Sequence, residues 1–274
     1  MTAALASFLV FVGFAGLFGG AVARRRLAGL NIPGGWPLWW GGGALLILVG
    51  LALQVGTTLA VLGFTAPADV LDYLTTTGPG RAALTTLLGT VLLLAAEIGG
   101  WSGRLALALM GLGAAISVWG IAGQGHGAEH GVLLRLAHAL HTAVMALWVG
   151  GVATLGAGRL RDWPGAARAF TPLAVLSVVT LTLSGLYMGL EHAGPLTEWP
   201  LHPYGRLLLV KVAVFAAALY ASTRVRRFLH RKTRPRRELL LELTLLVVVL
   251  GLTAVLVNQA PGHHGEDTSH QSHS

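Results

Sequence analysis

Two pairs of histidines lie close together near the middle of the chain, and imidazole is a good ligand for transition metals. His126 and His130 are four residues apart in a glycine-containing segment, and His138 and His141 follow inside a long apolar run. An ionisable side chain inside a membrane-spanning segment is costly and by default marks a functional site. A lone intramembrane histidine is often only a hydrogen-bonding partner between helices. Two pairs favour a metal site.

His138 and His141 belong to a stripe on one face of a predicted helix. At 100° per residue they fall within roughly 80° of Met145 and Trp148. Imidazole and thioether groups are ligands that copper prefers, Met and His suiting Cu(I) and nitrogen or oxygen ligands suiting Cu(II). The stripe therefore predicts a copper site, for Cu(I) or Cu(II), within the membrane.

The composition is that of a membrane protein and excludes several other classes. The 274 residues are 54% hydrophobic and 11% charged, with a mean hydropathy of +0.69, and no cysteine is present to form thiolate metal sites or iron–sulfur clusters. The net charge of +8 does not predict nucleic-acid binding, because the basic residues lie mostly in short segments between apolar runs. We also expect no enzyme, since no nucleophile with an adjacent base and no Walker motif is found.

Eight apolar runs are long enough, or nearly so, to cross a hydrocarbon core about 30 Å thick. The predicted spans are residues 3–23, 41–63, 81–98, 103–122, 132–156, 169–190, 205–222 and 238–258. The fold class is therefore all-α, a polytopic bundle of eight transmembrane helices in the lipid bilayer. It occupies residues 1–261 and is followed by a flexible His-containing tail, residues 262–274.

Smaller features refine this bundle. Residues 65–80, between the second and third spans, are expected to form a short interfacial helix. Gly16 and Gly20 in the first span are four residues apart, a pattern that predicts close packing of helices.

The basic residues predict the orientation of the bundle. The segments after the first, third, fifth and seventh predicted spans hold 15 of the 19 Lys and Arg residues, as 3, 1, 3 and 8. By the positive-inside rule, both termini are then periplasmic in a bacterial inner membrane. On this topology ten of the 11 histidines lie on the periplasmic side or within the spans, and only His230 is cytoplasmic.

The candidate metal ligands fall into an outer set, which would capture copper from water, and a deeper set inside the membrane. The outer set comprises His126, His130, His192 and His202. The deeper set comprises His138, His141 and Met145, and Met188 shares the face of His192 near the outer end of the sixth span.

Two cations and two aromatic residues near the outer end are given structural roles. Arg206 and Lys211 should avoid a cation path, either by reaching the membrane surface or by pairing with an acid of the 191–205 loop. Trp199 and Tyr204 are expected to be interface anchors.

Two acids lie near the opposite, basic end of the spans. Glu97 and Glu242 are expected to pair with Arg104 or with the basic segment 224–237. A role as an exit site for metal is the alternative.

The second half of the chain resembles the CopD (PcoD-like) family of bacterial inner-membrane copper proteins. The resemblance covers roughly residues 125–261, and its most specific piece is YGRLLLVK, residues 204–211. It implies an eight-span copper resistance or import protein that takes copper from the periplasm, with a CopC-like copper carrier as partner. The family pattern also leads us to expect an acid three residues before His141, where this chain has His138.

Two other functions are kept as alternatives to copper transport. Paired histidines in a helical bundle are also typical of b-type haem proteins that carry electrons. A copper receptor or assembly factor could bind the metal without transporting it.

Overall fold

The computed structural model describes residues 1–27, 31–32, 35–64, 66–99, 101, 103–124, 131–158, 162–228 and 235–259. Within these residues, eight helices are long and apolar enough to cross a membrane. They are Thr2–Arg26, Trp36–Leu62, Gly78–Ile98, Gly103–Ala122, Val132–Ala157, Trp163–Ala193, Pro203–Arg227 and Arg236–Val257, named here the first to eighth spans. The all-α fold and the eight predicted spans are confirmed.

Differences from the predicted boundaries are small, and the largest is in the sixth span. It extends over Trp163–Ala193, beyond the predicted 169–190, because Asp162 caps its start by accepting a hydrogen bond from the Gly165 N–H at 2.9 Å. The short helix predicted between the second and third spans is also present, as Pro67–Thr76.

The fifth span lies at the centre of the bundle and packs against the first, fourth, sixth and eighth spans. Gly19 and Gly150 allow the first and fifth spans to touch, because a Cβ atom added at Gly150 would lie 2.6 Å from the Gly19 Cα. Small residues let helices approach where no hydrophobic effect drives them together. The predicted pair behaves differently, since Gly20 packs against the indole of Trp39 and Gly16 makes only ordinary contact with Gly43.

Glu97 joins the basic end of the first span to the end of the third. Its buried carboxylate forms an ion pair with Arg25, and Arg24 lies 3.7 Å away. The predicted partners, Arg104 and the segment 224–237, are therefore wrong for Glu97. A carboxylate with no exposed side-chain surface needs a close cation, and the first span supplies two.

Candidate functional site

A cavity of about 380 Å³ lies among the last four spans. Its lining includes most of the chemically active residues of the stripe and of the sixth and seventh spans. These are His138, His141, Met145, Trp148, Met188, His192, Tyr204 and Lys211. The seventh span packs mainly against the eighth and only slightly against the sixth, which leaves this space between them.

Five of the eight predicted metal ligands therefore meet at one cavity. They are His138, His141, Met145, Met188 and His192. His202 precedes the seventh span and is not among the lining residues. His126, His130 and the tail 262–274 lie outside the described residues.

His141 is held by a chain of hydrogen bonds to the sixth span. Its Nδ1 lies 2.9 Å from the hydroxyl of Ser184, and that hydroxyl donates its proton to the Thr180 carbonyl at 2.5 Å. Ser184 must therefore accept from His141, so Nδ1 carries the proton and Nε2 carries the lone pair. This is the orientation in which histidine binds a metal.

The ring of His192 is fixed in the same way by its own helix. Its Nδ1 lies 2.8 Å from the Met188 carbonyl oxygen, and a carbonyl oxygen can only accept. The proton is therefore on Nδ1 and the lone pair on Nε2. The Met188 carbonyl thus holds the His192 ring against its own helix, and both side chains line the cavity.

His192 is buried beside His138, so the expectation that it is open to water was wrong. It is 6% exposed, and its ring centroid lies 5.6 Å from that of His138 in an edge-to-face arrangement. Tyr204 stacks on its other side, with 6.3 Å between centroids. His192 reaches His138 because the sixth and fifth spans pack side by side.

Carboxylates are missing from this cavity, as far as the described lining residues show. In the described part of the chain, His, Asp and Glu do not form any group of three or more that could hold a metal ion by themselves. Binding would therefore need the thioethers of Met145 and Met188 in addition to imidazoles. Two or three soft ligands suit Cu(I) better than Cu(II).

Lys211 lines the cavity beside the candidate ligands, so the expectation that it reaches the membrane surface or pairs with an acid of the 191–205 loop was wrong. Lys211 therefore shares the cavity with His141. Arg206 does behave as expected, because it is exposed and its Nε donates to the Pro200 carbonyl at 2.8 Å.

Trp199 covers the end of the cavity next to the loop between the sixth and seventh spans, and it is not an interface anchor. It is 4% exposed, its indole N–H donates to the Gly194 carbonyl at 2.9 Å, and its ring packs on Gly189. Tyr204 is also a lining residue. Both aromatics therefore face the protein, because the loop between the sixth and seventh spans folds over the cavity.

Trp148 lies at the opposite end of the cavity, towards the basic ends of the spans. Its indole N–H donates to the buried carboxylate of Glu242 at 3.1 Å, and its ring meets that of Phe215 edge to face. Sequence reasoning placed Trp148 on the right face but missed this hydrogen bond. It also missed Ser184, because a serine in an apolar helix carries no signal of its partner.

The CopD family model, described as copper resistance protein D, matches residues 164–256. No curated protein and no solved structure matches the chain. The matched region contains the seventh span and all but one residue each of the sixth and eighth, and so includes Met188, His192 and Lys211. Over these three spans the chain is similar to the CopD family of copper resistance proteins, and it is a multi-pass protein of the inner membrane.

Proposed function

We propose that the protein takes copper from the periplasm and passes it towards the cytoplasm through the cavity among the last four spans. The observation that carries this proposal is the convergence of three imidazoles and two thioethers from the fifth and sixth spans on one cavity. Two helices supply these ligands, and each ligand can release the ion to the next. An ion can therefore enter the membrane without contacting hydrocarbon.

The cavity favours Cu(I) as the transported ion. Its described lining offers Met145, Met188 and histidines but no carboxylate, and Lys211 adds a positive charge. Repulsion from an ammonium is twice as large for a divalent as for a monovalent cation at the same distance. Soft ligands and a cationic neighbour therefore act in the same direction.

Copper would arrive from a CopC-like periplasmic carrier. His202 and, beyond the described residues, His126 and His130 remain candidates for the first contact. We infer passive or ion-coupled movement, as expected for a membrane bundle, and no enzymatic step.

The contact between His138 and His192 argues against the haem alternative at this pair. Two axial histidines must face each other across a porphyrin, whereas these rings touch edge to face at 5.6 Å. The receptor alternative requires the same ligands and differs only in that copper does not cross the membrane.

Uptake of copper into proteoliposomes tests the proposal directly. Wild-type protein should load the vesicles with Cu(I), whereas His141→Ala should insert normally but lose most of the uptake. Alanine preserves the helix, and it removes an imidazole that we assign to the metal path. His230→Ala serves as the control, because His230 lies between the seventh and eighth spans. Uptake by His141→Ala at the wild-type rate would show that copper takes another route.

A further inference from the structure

The cavity that holds the candidate ligands is called the copper cavity below. A second, smaller cavity of about 40 Å³ lies further along the same four spans. On the fifth span, Met145 lines the first cavity and Val152 the second, and on the eighth, Leu246 lines the first and Glu242 the second. The two cavities are therefore stacked along the bundle. The second lies towards the basic end of the spans, where the seventh span ends in arginines.

Trp148 separates the two cavities. Its ring lines the copper cavity, and its N–H donates to Glu242 in the second one. It is 1% exposed and contacts Phe215. The next turn of the fifth span, at Val152, already belongs to the second cavity. The indole of Trp148 thus lies between the first cavity, which it lines, and Glu242, which lines the second.

Glu242 is the carboxylate of the second cavity and is 3% exposed. Ser222 and Arg226 line the same cavity. The side chain of Arg226 belongs to an exposed residue, so water screens its charge more than that of the buried carboxylate. A buried acid in a membrane span is expensive and is a functional candidate by default.

We propose that Glu242, with Ser222, is an inner cation station that receives copper from the His/Met cavity when the Trp148 side chain moves aside. This proposal rests on the proposed transport function. Lys211 repels a cation in the copper cavity, and the Glu242 carboxylate attracts a cation in the second cavity. Carboxylate is a weak ligand for Cu(I), which suits a station from which the ion must leave.

The test separates binding from transport in Glu242→Gln. Glutamine retains an acceptor for the Trp148 N–H but has no negative charge. Cu(I) affinity of the purified protein, measured by competition with a chromophoric chelator, should stay within twofold of wild type. Uptake into proteoliposomes should fall at least tenfold, and Glu242→Asp, which restores the carboxylate, should recover part of it.

Glu97→Gln is the matched control. Glu97 is also a buried acid near the basic end of a span, but it is paired with Arg25 and lines neither cavity. Because the substitution leaves Arg25 without its partner, affinity and uptake are compared per folded, inserted protein, and both should keep their wild-type values.

Two outcomes would overturn the inner station. Wild-type uptake by Glu242→Gln would show that the carboxylate is not on the path, and loss of affinity together with uptake would show that Glu242 supports the copper cavity. Failure of the proposed function looks different, because His141→Ala would then keep both affinity and uptake whatever Glu242 does.

Discussion

The rings of His138 and His192 lie edge to face with 5.6 Å between their centroids, although 54 positions separate them in the sequence. One is on the fifth span and the other near the end of the sixth. The candidate site is therefore formed by residues of both helices. A metal bound there would hold the fifth and sixth spans together.

Ser184 should control copper affinity through His141. Ser184→Ala removes the acceptor that fixes Nδ1, and losing such a partner typically lowers metal affinity about 10–100-fold. Competition titration with a Cu(I) chelator measures the change. Ser177→Ala is the control, because Ser177 is buried on the same helix and its hydroxyl has no hydrogen-bond partner among the described residues. Equal affinities for the two variants would contradict the assigned role.

The thioethers of Met145 and Met188 should each contribute to Cu(I) binding. Met→Leu preserves volume and apolar character but removes the sulfur, so we expect each variant to bind Cu(I) about tenfold more weakly, or roughly 1.4 kcal/mol. Met110→Leu should bind normally, since Met110 lies on the fourth span outside the cavity lining. Unchanged affinity in both cavity variants would show that the thioethers do not bind Cu(I) and that only imidazoles do.

Neutralising Lys211 should strengthen copper binding. Lys211→Gln removes a positive charge that faces the cavity, and we expect the affinity for Cu(I) to rise about tenfold, from roughly 1.4 kcal/mol of relieved repulsion. Discrimination against Cu(II) should weaken at the same time. Arg206→Gln is the control, because that side chain is exposed and bonds to Pro200. If both substitutions have the same effect, the charge acts only at long range.

The predicted orientation can be tested with reporter fusions. A reporter that is active only in the periplasm should work after the C-terminal tail and remain silent in the segment 224–237, because basic segments stay in the cytoplasm. The reverse pattern would place the outer end of the cavity, under Trp199, on the cytoplasmic side.

The sequence predicts the spans and one face of the site well, because a helix has a fixed period. The stripe His138, His141, Met145 and Trp148 follows from that period alone, and all four residues line the cavity. Helical period gives no information on which face of another span will meet the stripe. The sequence therefore predicts His192 to be open to water, whereas packing of the sixth span buries it against His138.

Charged residues were harder to place, because the cost of burying a charge can be offset in several ways. Lys211 was expected to leave the membrane, yet a cavity accommodates it. Glu97 was expected to pair with nearby arginines of later segments, yet the first span, 72 positions earlier, provides the partner. Such long-range pairs depend on which spans become neighbours in the bundle. The residues around each charge do not indicate this.

The position of the Trp148 indole also bears on the membrane potential. An uninterrupted file of water through the last four spans would conduct protons and discharge the membrane potential, which is worth about 2.3 kcal/mol per elementary charge at 100 mV. Trp148, packed on Phe215 and bonded to Glu242, breaks such a file with apolar surface. We therefore expect that the side chain that would have to move for copper also limits proton leakage while it stays in place.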